Sequence, residues 1–132
     1  MPAKVVVIGS LNMDLVTRAS RLPRGGETLI GESFTTIPGG KGANQAVAAA
    51  RLGGDVCFIT QLGKDIFGDQ NLENFKREGI DTSLITQNPD QPSGVALITV
   101  DNSGENTIIV APGANHTLSE AEISSASKAF QQ

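Results

Sequence analysis

The chain has 132 residues and a mass of 13.7 kDa, the size of one domain, with 39% apolar and 18% charged residues. That balance supports a packed core and excludes a disordered chain. Ten basic against fourteen acidic residues leave a net charge of -4, and the Lys and Arg side chains are scattered singly, so no basic surface recommends a nucleic-acid partner.

Lys4 to Gly9 is a continuous, β-branched run closed by glycine, which predicts a central strand covered on both faces. Leu15 to Ala19 and Thr28 to Ile37 mix polar and apolar residues around the turn-rich stretch Leu22 to Gly26, as strands of a sheet exposed on one face do. From Gly42, the spacing of Ala43, Ala46, Val47 and Ala50 predicts a helix that stops at Gly53-Gly54. Val56 to Leu62 reads as a buried strand, Phe67 to Gly79 as an amphipathic helix and its stop, and Thr82 to Thr86 as a short strand. Strand, helix, strand, helix, strand implies a parallel sheet with right-handed crossovers. Gly94 to Val100 and Thr107 to Val110 form a hairpin around Asp101-Asn102-Ser103-Gly104, and the capping box Ser119-x-x-Glu122 opens a helix running toward Gln132.

The single cysteine, Cys57, excludes an internal disulfide, and no His or Cys cluster suggests a metal site. The N-terminal apolar run is too short for a signal segment or a membrane span, so a cytoplasmic chain with no membrane partner is expected. Cys57 reads as a small buried hydrophobe, His116 as a surface or capping residue, and Asp65, rather than pairing with Asp69, as a helix N-cap.

Two stretches could carry chemistry. Asn12 and Asp14 follow the central strand, where ligands of open α/β sheets bind, and in extended chain both point the same way. An amide and a carboxylate so placed can hold vicinal hydroxyls; an Asx turn ending the strand would use the same residues. Gly39-Gly40-Lys41-Gly42-Ala43-Asn44-Gln45 runs into a helix N-terminus, where free amides, the dipole and Lys41 could hold an oxygen-rich ligand. It is neither Walker A nor G-x-G-x-x-G, and the loop alone favours a plain strand-to-helix turn with a solvated lysine.

At these residues the sequence resembles the ribokinase-like family of sugar kinases. The resemblance is carried by Gly39 to Ala46 with Gly53 and Gly63 at their offsets. Gly9-x-x-Asn12-x-Asp14, Gly26-Glu27-Thr28, Gly63-x-Asp65-x-x-Gly68, Gly104-Glu105-Asn106 and Gly113-Ala114-Asn115 extend it over nearly the whole chain. The glycine loop and the N-x-D pair are more similar to ribokinases than to adenosine kinases or fructokinases.

The resemblance implies an α/β fold, a mostly parallel sheet flanked by helices with a small β-sheet lid whose strands lie within 15–37 and 94–110. Residues 1–132 would form the N-terminal half. It implies ATP-dependent phosphorylation of the primary 5-hydroxyl of D-ribose, with Mg2+ and K+. Asn12, Asp14, Gly40, Lys41 and Asn44 would bind the sugar, and Ala96 and Val110 would close the lid over it. The lid would also join a homodimer, with Ile98, Val100 and Ile109 as candidates for its apolar face. The family's ATP pocket, metal-linked acidic motif, cation site and T-x-G-A-G-D motif belong to a second half, so residues 1–132 are expected to hold no catalytic or metal residue. The alternatives are a catalytically inactive sugar-binding or dimerisation module, or a sister kinase for another furanose or a nucleoside.

Overall fold

The computed structural model describes residues 1–131, apart from the side chains of residues 128 and 129. Two sheets divide the chain into a body and a lid. The body sheet has β1 (Lys4–Ile8), β4 (Asp55–Gly63) and β5 (Ile85–Asn88) in that spatial order, all parallel. Among the described residues the central strand is therefore β4, and β1, expected at the centre and covered on both faces, is an edge strand in which only Val7 is buried. The lid sheet has the order β3 (Ser33–Gly39), β2 (Asn12–Arg18), β6 (Gly94–Val100), β7 (Asn106–Ala111). Two antiparallel pairs, β2 with β3 and β6 with β7, meet through a parallel β2–β6 pairing.

The body core follows from the apolar strands. Val7, Val56, Phe58 and Leu62 pack with Ala43 and Ala46 of helix α1 (Lys41–Arg51) and Phe75 of helix α2 (Ile66–Arg77). Phe58 and Phe75 meet edge to face, ring centroids 5.4 Å apart at 86°, a geometry that adds about 1 kcal/mol to the area buried. The small side chains of α1 let the helix lie close on the sheet. Gly53 and Gly79, at φ 89° and 74°, supply the left-handed residue just past each helix. Asp65 caps α2 by accepting from the Gly68 N–H at 2.9 Å.

Three expected strands shift. The one placed at Leu15 to Ala19 begins at Asn12, because β2 pairs along its whole length with both β3 and β6. Of Thr28 to Ile37 only the part from Ser33 is strand. The chain bends into the sheet at Glu32, whose N–H reaches Arg18 O at 2.7 Å. Thr82 to Thr86 gives way to β5 because Asp81 takes the Ser83 N–H at 2.9 Å and the Ile85 N–H closes on Thr82 O at 3.1 Å, turning the chain first.

The capping box forms as expected. The Glu122 carboxylate accepts the Ser119 N–H at 2.8 Å and the Ser119 hydroxyl. Helix α3 (Glu120–Ser125) is shorter than expected: the Ser125 hydroxyl bonds back to Glu122 O at 2.8 Å, and a 3-10 turn at Ser127–Phe130 replaces it. The expected end at Gln132 lies outside the described residues.

The apolar lid trio is split. Ile98 pairs with Ile108 and Ile109 with Leu97, so pleating puts Ile98 and Val100 on one face and Ile109 on the other. Ile98 and Val100 are half-buried, and the exposed apolar residues on their face are Ile37, Ile108 and Val110.

Candidate functional site

The site lies where β1 ends, β2 begins and α1 starts. Gly9 and Gly42 bring the strand end and the helix start together. A Cβ on Gly42 would stand 2.8 Å from Gly9 C and Cα, and one on Gly9 would stand 2.9 Å from Gly42 Cα. Gly40, at φ 98°, turns the chain into α1. Helix geometry leaves the N–H groups of Lys41 and Gly42 without acceptors in their own helix, whereas that of Ala43 reaches Ser10 O at 3.1 Å. These free amides and the positive dipole end face the β1–β2 connection.

Asn12 and Asp14 are alternate residues of β2 and share a face of the lid sheet, as extended chain requires. The arrangement is a strand, not an Asx turn. In the Asp14 row, Ile37, Asp14, Ala96 and Val110 stand side by side across four strands. The Asp14 carboxylate covers Gly39: a Cβ there would come within 2.6 Å of both its oxygens. Burial pushes the Asp14 carboxyl above its ordinary value.

A cavity of about 390 Å³ opens among Ser10, Asn12, Gly40, Lys41, Asn44, Val110, Pro112 and Asn115. That is within the range of small-molecule sites. The structure thus brings together Asn12, Gly40, Lys41, Asn44 and Val110 of the expected residues. Asp14 and Ala96 lie one pleat farther up the lid and do not line the cavity, and Ala96 is buried. Ser10, Pro112 and Asn115 were not singled out as ligand contacts from the sequence; Asn115 was marked only as part of a Gly-Ala-Asn triplet. Its side chain closes the cavity wall by bonding across the chain to Leu11 and Asn12.

The other reactive residues stand apart from this cavity. Cys57 is half-buried in β4, and burial, followed by Asp81 and Asp55, raises its thiol pKa, which keeps it a poor nucleophile. His116 is exposed on the 3-10 turn Gly113–Thr117. Asp69 bonds Gln87 Nε2 at 3.3 Å, while Asp65 holds the Ser93 N–H and hydroxyl at 2.8 and 2.7 Å. Among the described residues no three His, Cys, Asp or Glu side chains cluster in a way that could hold a metal ion. No helix among these residues is long and apolar enough to cross a membrane.

A parallel α/β body and a β lid with a cavity where they meet define an α/β chain with a candidate small-molecule site. The chain belongs to the pfkB family of carbohydrate kinases, whose pattern matches residues 2–132. It is 51% identical over 116 residues to a ribokinase of Lactococcus lactis, covering 87% of this chain and 38% of that protein. It is 43% identical over 124 residues to a deoxyribokinase of Salmonella typhi, covering 94% of this chain and 40% of the relative. The structure of Arabidopsis thaliana ribokinase complexed with ribose and ATP superposes with a TM-score of 0.80 at 35% identity, covering 87% of this chain and 38% of that one. The chain therefore spans about two-fifths of the length of the relatives it matches.

Proposed function

We propose that these residues are the sugar-binding and lid part of a kinase that transfers a phosphoryl group from ATP to the primary 5-hydroxyl of D-ribose, giving ribose 5-phosphate. The observation that carries this reading is the convergence of the polar groups of Asn12, Lys41, Asn44 and the start of α1 on one cavity beneath the lid. The amide and ammonium groups hold hydroxyl oxygens and Val110 covers the sugar's apolar edge, while Asp14 accepts a hydrogen bond from a hydroxyl that reaches one pleat beyond the cavity lining. Ala96, buried, backs Val110 and makes no contact of its own.

Phosphoryl transfer needs the γ-phosphate positioned and its charge offset, work that this reading gives to the rest of the protein. ATP, Mg2+ and K+ are accordingly assigned to the whole protein, with its chemistry. Calorimetry tests the sugar site directly: ribose should bind, and Asp14→Ala and Asn44→Ala should each abolish the heat. Ribose 5-phosphate formation by the isolated 132 residues would overturn the division of labour. The similarity to a deoxyribokinase supports a second reading, a preference for 2-deoxyribose. A panel of furanoses with the whole protein separates the two.

The second partner in this reading is another copy of the chain. Ile37, Ile108 and Val110 are 47%, 54% and 53% exposed on the face that continues from the sugar cavity. A second lid laid on that face would remove them from water, and the apolar area supports a homodimer.

A further inference from the structure

Asn12 is useful to a sugar only if its carboxamide is turned the right way, and a strand residue at a cavity rim has no intrinsic preference between the two orientations. The structure supplies one. The Asn115 side chain takes the Leu11 N–H on its Oδ1 at 3.0 Å and gives its Nδ2 hydrogens to Leu11 O and Asn12 Oδ1, both at 2.9 Å. Three of the four hydrogen bonds that amide group can make, both donors among them, are directed at one short segment of the β1–β2 connection. Leu11 is buried, so its two backbone groups would otherwise lack partners where the strand breaks.

We propose that Asn115 is a positioning residue that fixes the Asn12 carboxamide with its oxygen inward and its Nδ2 hydrogens toward the cavity, making Asn12 a hydrogen-bond donor to a sugar hydroxyl oxygen. The inference rests on the sugar-site reading above. With Asp14, the pair then presents one donor and one acceptor on the same strand face, which distinguishes a hydroxyl used as acceptor from one used as donor. Gly94 makes the room: a Cβ there would stand 2.3 Å from Asn115 Nδ2 and 2.4 Å from Asn12 Oδ1. Its absence of a side chain lets the two amides meet beneath the lid.

The substitution that tests this is Asn115→Asp, which keeps the acceptor for the Leu11 N–H, removes both donors and sets a carboxylate against Asn12 Oδ1. The Asn12 amide then turns over, and the cavity loses a donor. In the whole protein, KM for ribose should rise about tenfold, the upper end for one neutral hydrogen bond, with KM for ATP unmoved. Asn12→Ala should raise the ribose KM as well, and in that background Asn115→Asp should add nothing further. A deoxy-ribose analogue whose discrimination is lost in one variant should be the same analogue in the other.

If Asn12→Ala raises KM but Asn115→Asp leaves it unchanged or adds independently, the positioning role is overturned and the sugar site stands. If Asn12→Ala itself has no effect, both fall. Should Asn115→Asp fail to fold, side-chain amide exchange in the unaltered protein decides. Slow exchange of the Asn115 Nδ2 hydrogens supports the bond, and exchange as fast as in a free asparagine overturns it.

Discussion

Gly9 and Gly42 touch backbone to backbone, each occupying the space a methyl group on the other would need. This contact sets how near the start of α1 comes to the end of β1, and so the depth of the cavity between them. Gly42→Ala should lower stability by about 1 to 3 kcal/mol, the usual cost of forcing a methyl group into close packing. It should also weaken ribose binding by retracting the Lys41 and Gly42 N–H groups. Urea unfolding and calorimetry measure the two effects. Unchanged stability with unchanged affinity would mean the contact is slack.

Asn71 presents the opposite case. It is fully buried on α2, and among the described residues its carboxamide nitrogen and oxygen both lack a hydrogen-bond partner. Leaving such groups unpaired costs about 1 to 3 kcal/mol, and an apolar side chain of the same branching avoids that cost. Asn71→Leu should therefore raise the unfolding midpoint in urea with little change in m-value. A lowered midpoint would show that the amide is satisfied in solution.

Asp65 ties the start of α2 to Ser93. Burial alone would raise its carboxyl pKa, but the Ser93 hydroxyl, the Ser93 N–H and the Gly68 N–H together hold it below the ordinary 3.8. A carboxyl depressed in the folded state contributes stability that is complete above its unfolded value and is lost as the pH falls through the folded one. The wild type should lose this increment on acidification below about pH 4, whereas Asp65→Asn should lack it at every pH. Thermal melts between pH 3 and 7 make the comparison.

Asp14 carries the reverse sign. Its folded-state pKa is raised by burial, so its ionisation costs stability as the pH rises through the unfolded value. Asp14→Asn should be more stable than wild type at neutral pH, yet bind ribose less well. Wild-type affinity should fall on acidification as the acceptor takes up its proton, at a higher pH than an exposed aspartate would require. A pH-independent ribose affinity between pH 4 and 7 would remove Asp14 from the site.

Ile108→Asp places a charge on the exposed lid face that includes Ile37 and Val110. Sedimentation of the whole protein should show dimer for wild type and monomer for the variant. A monomeric wild type would leave the lid face without the partner inferred for it.

The sequence made the body readable because its strands are continuous apolar runs and its helices keep a 3.6-residue period. Val56 to Leu62, the α1 face through Ala43 and Ala46, and the Asp65 cap all stand where the pattern put them. The lid was harder to read. Asn12 and Asp14 are poor strand formers, so the pattern started β2 three residues late, although pairing with two neighbours overrides their preference. Both faces of β7 are exposed and largely apolar, which erases the alternation that tells inside from outside. Of the candidate site, Asn12 and Lys41 were legible from local context, and Asn44 only from the resemblance. Asn115 was not, because its partners lie at the far end of the chain and no periodicity records a bond between side chain and distant backbone.

The parallel β2–β6 pairing joins a strand that precedes the α1–β4–α2–β5 unit to one that follows it. Neither lid hairpin can find the other until that intervening unit has closed and brought their ends together, so the loop-closure entropy falls on the lid and not on the body. The topology therefore predicts an order of folding: body first, lid sheet last. In hydrogen exchange, the β2–β6 amides should acquire protection after those of β1 and β4. The cavity wall, built from the β1–β2 connection and Asn115, then comes into being only at the final step of folding.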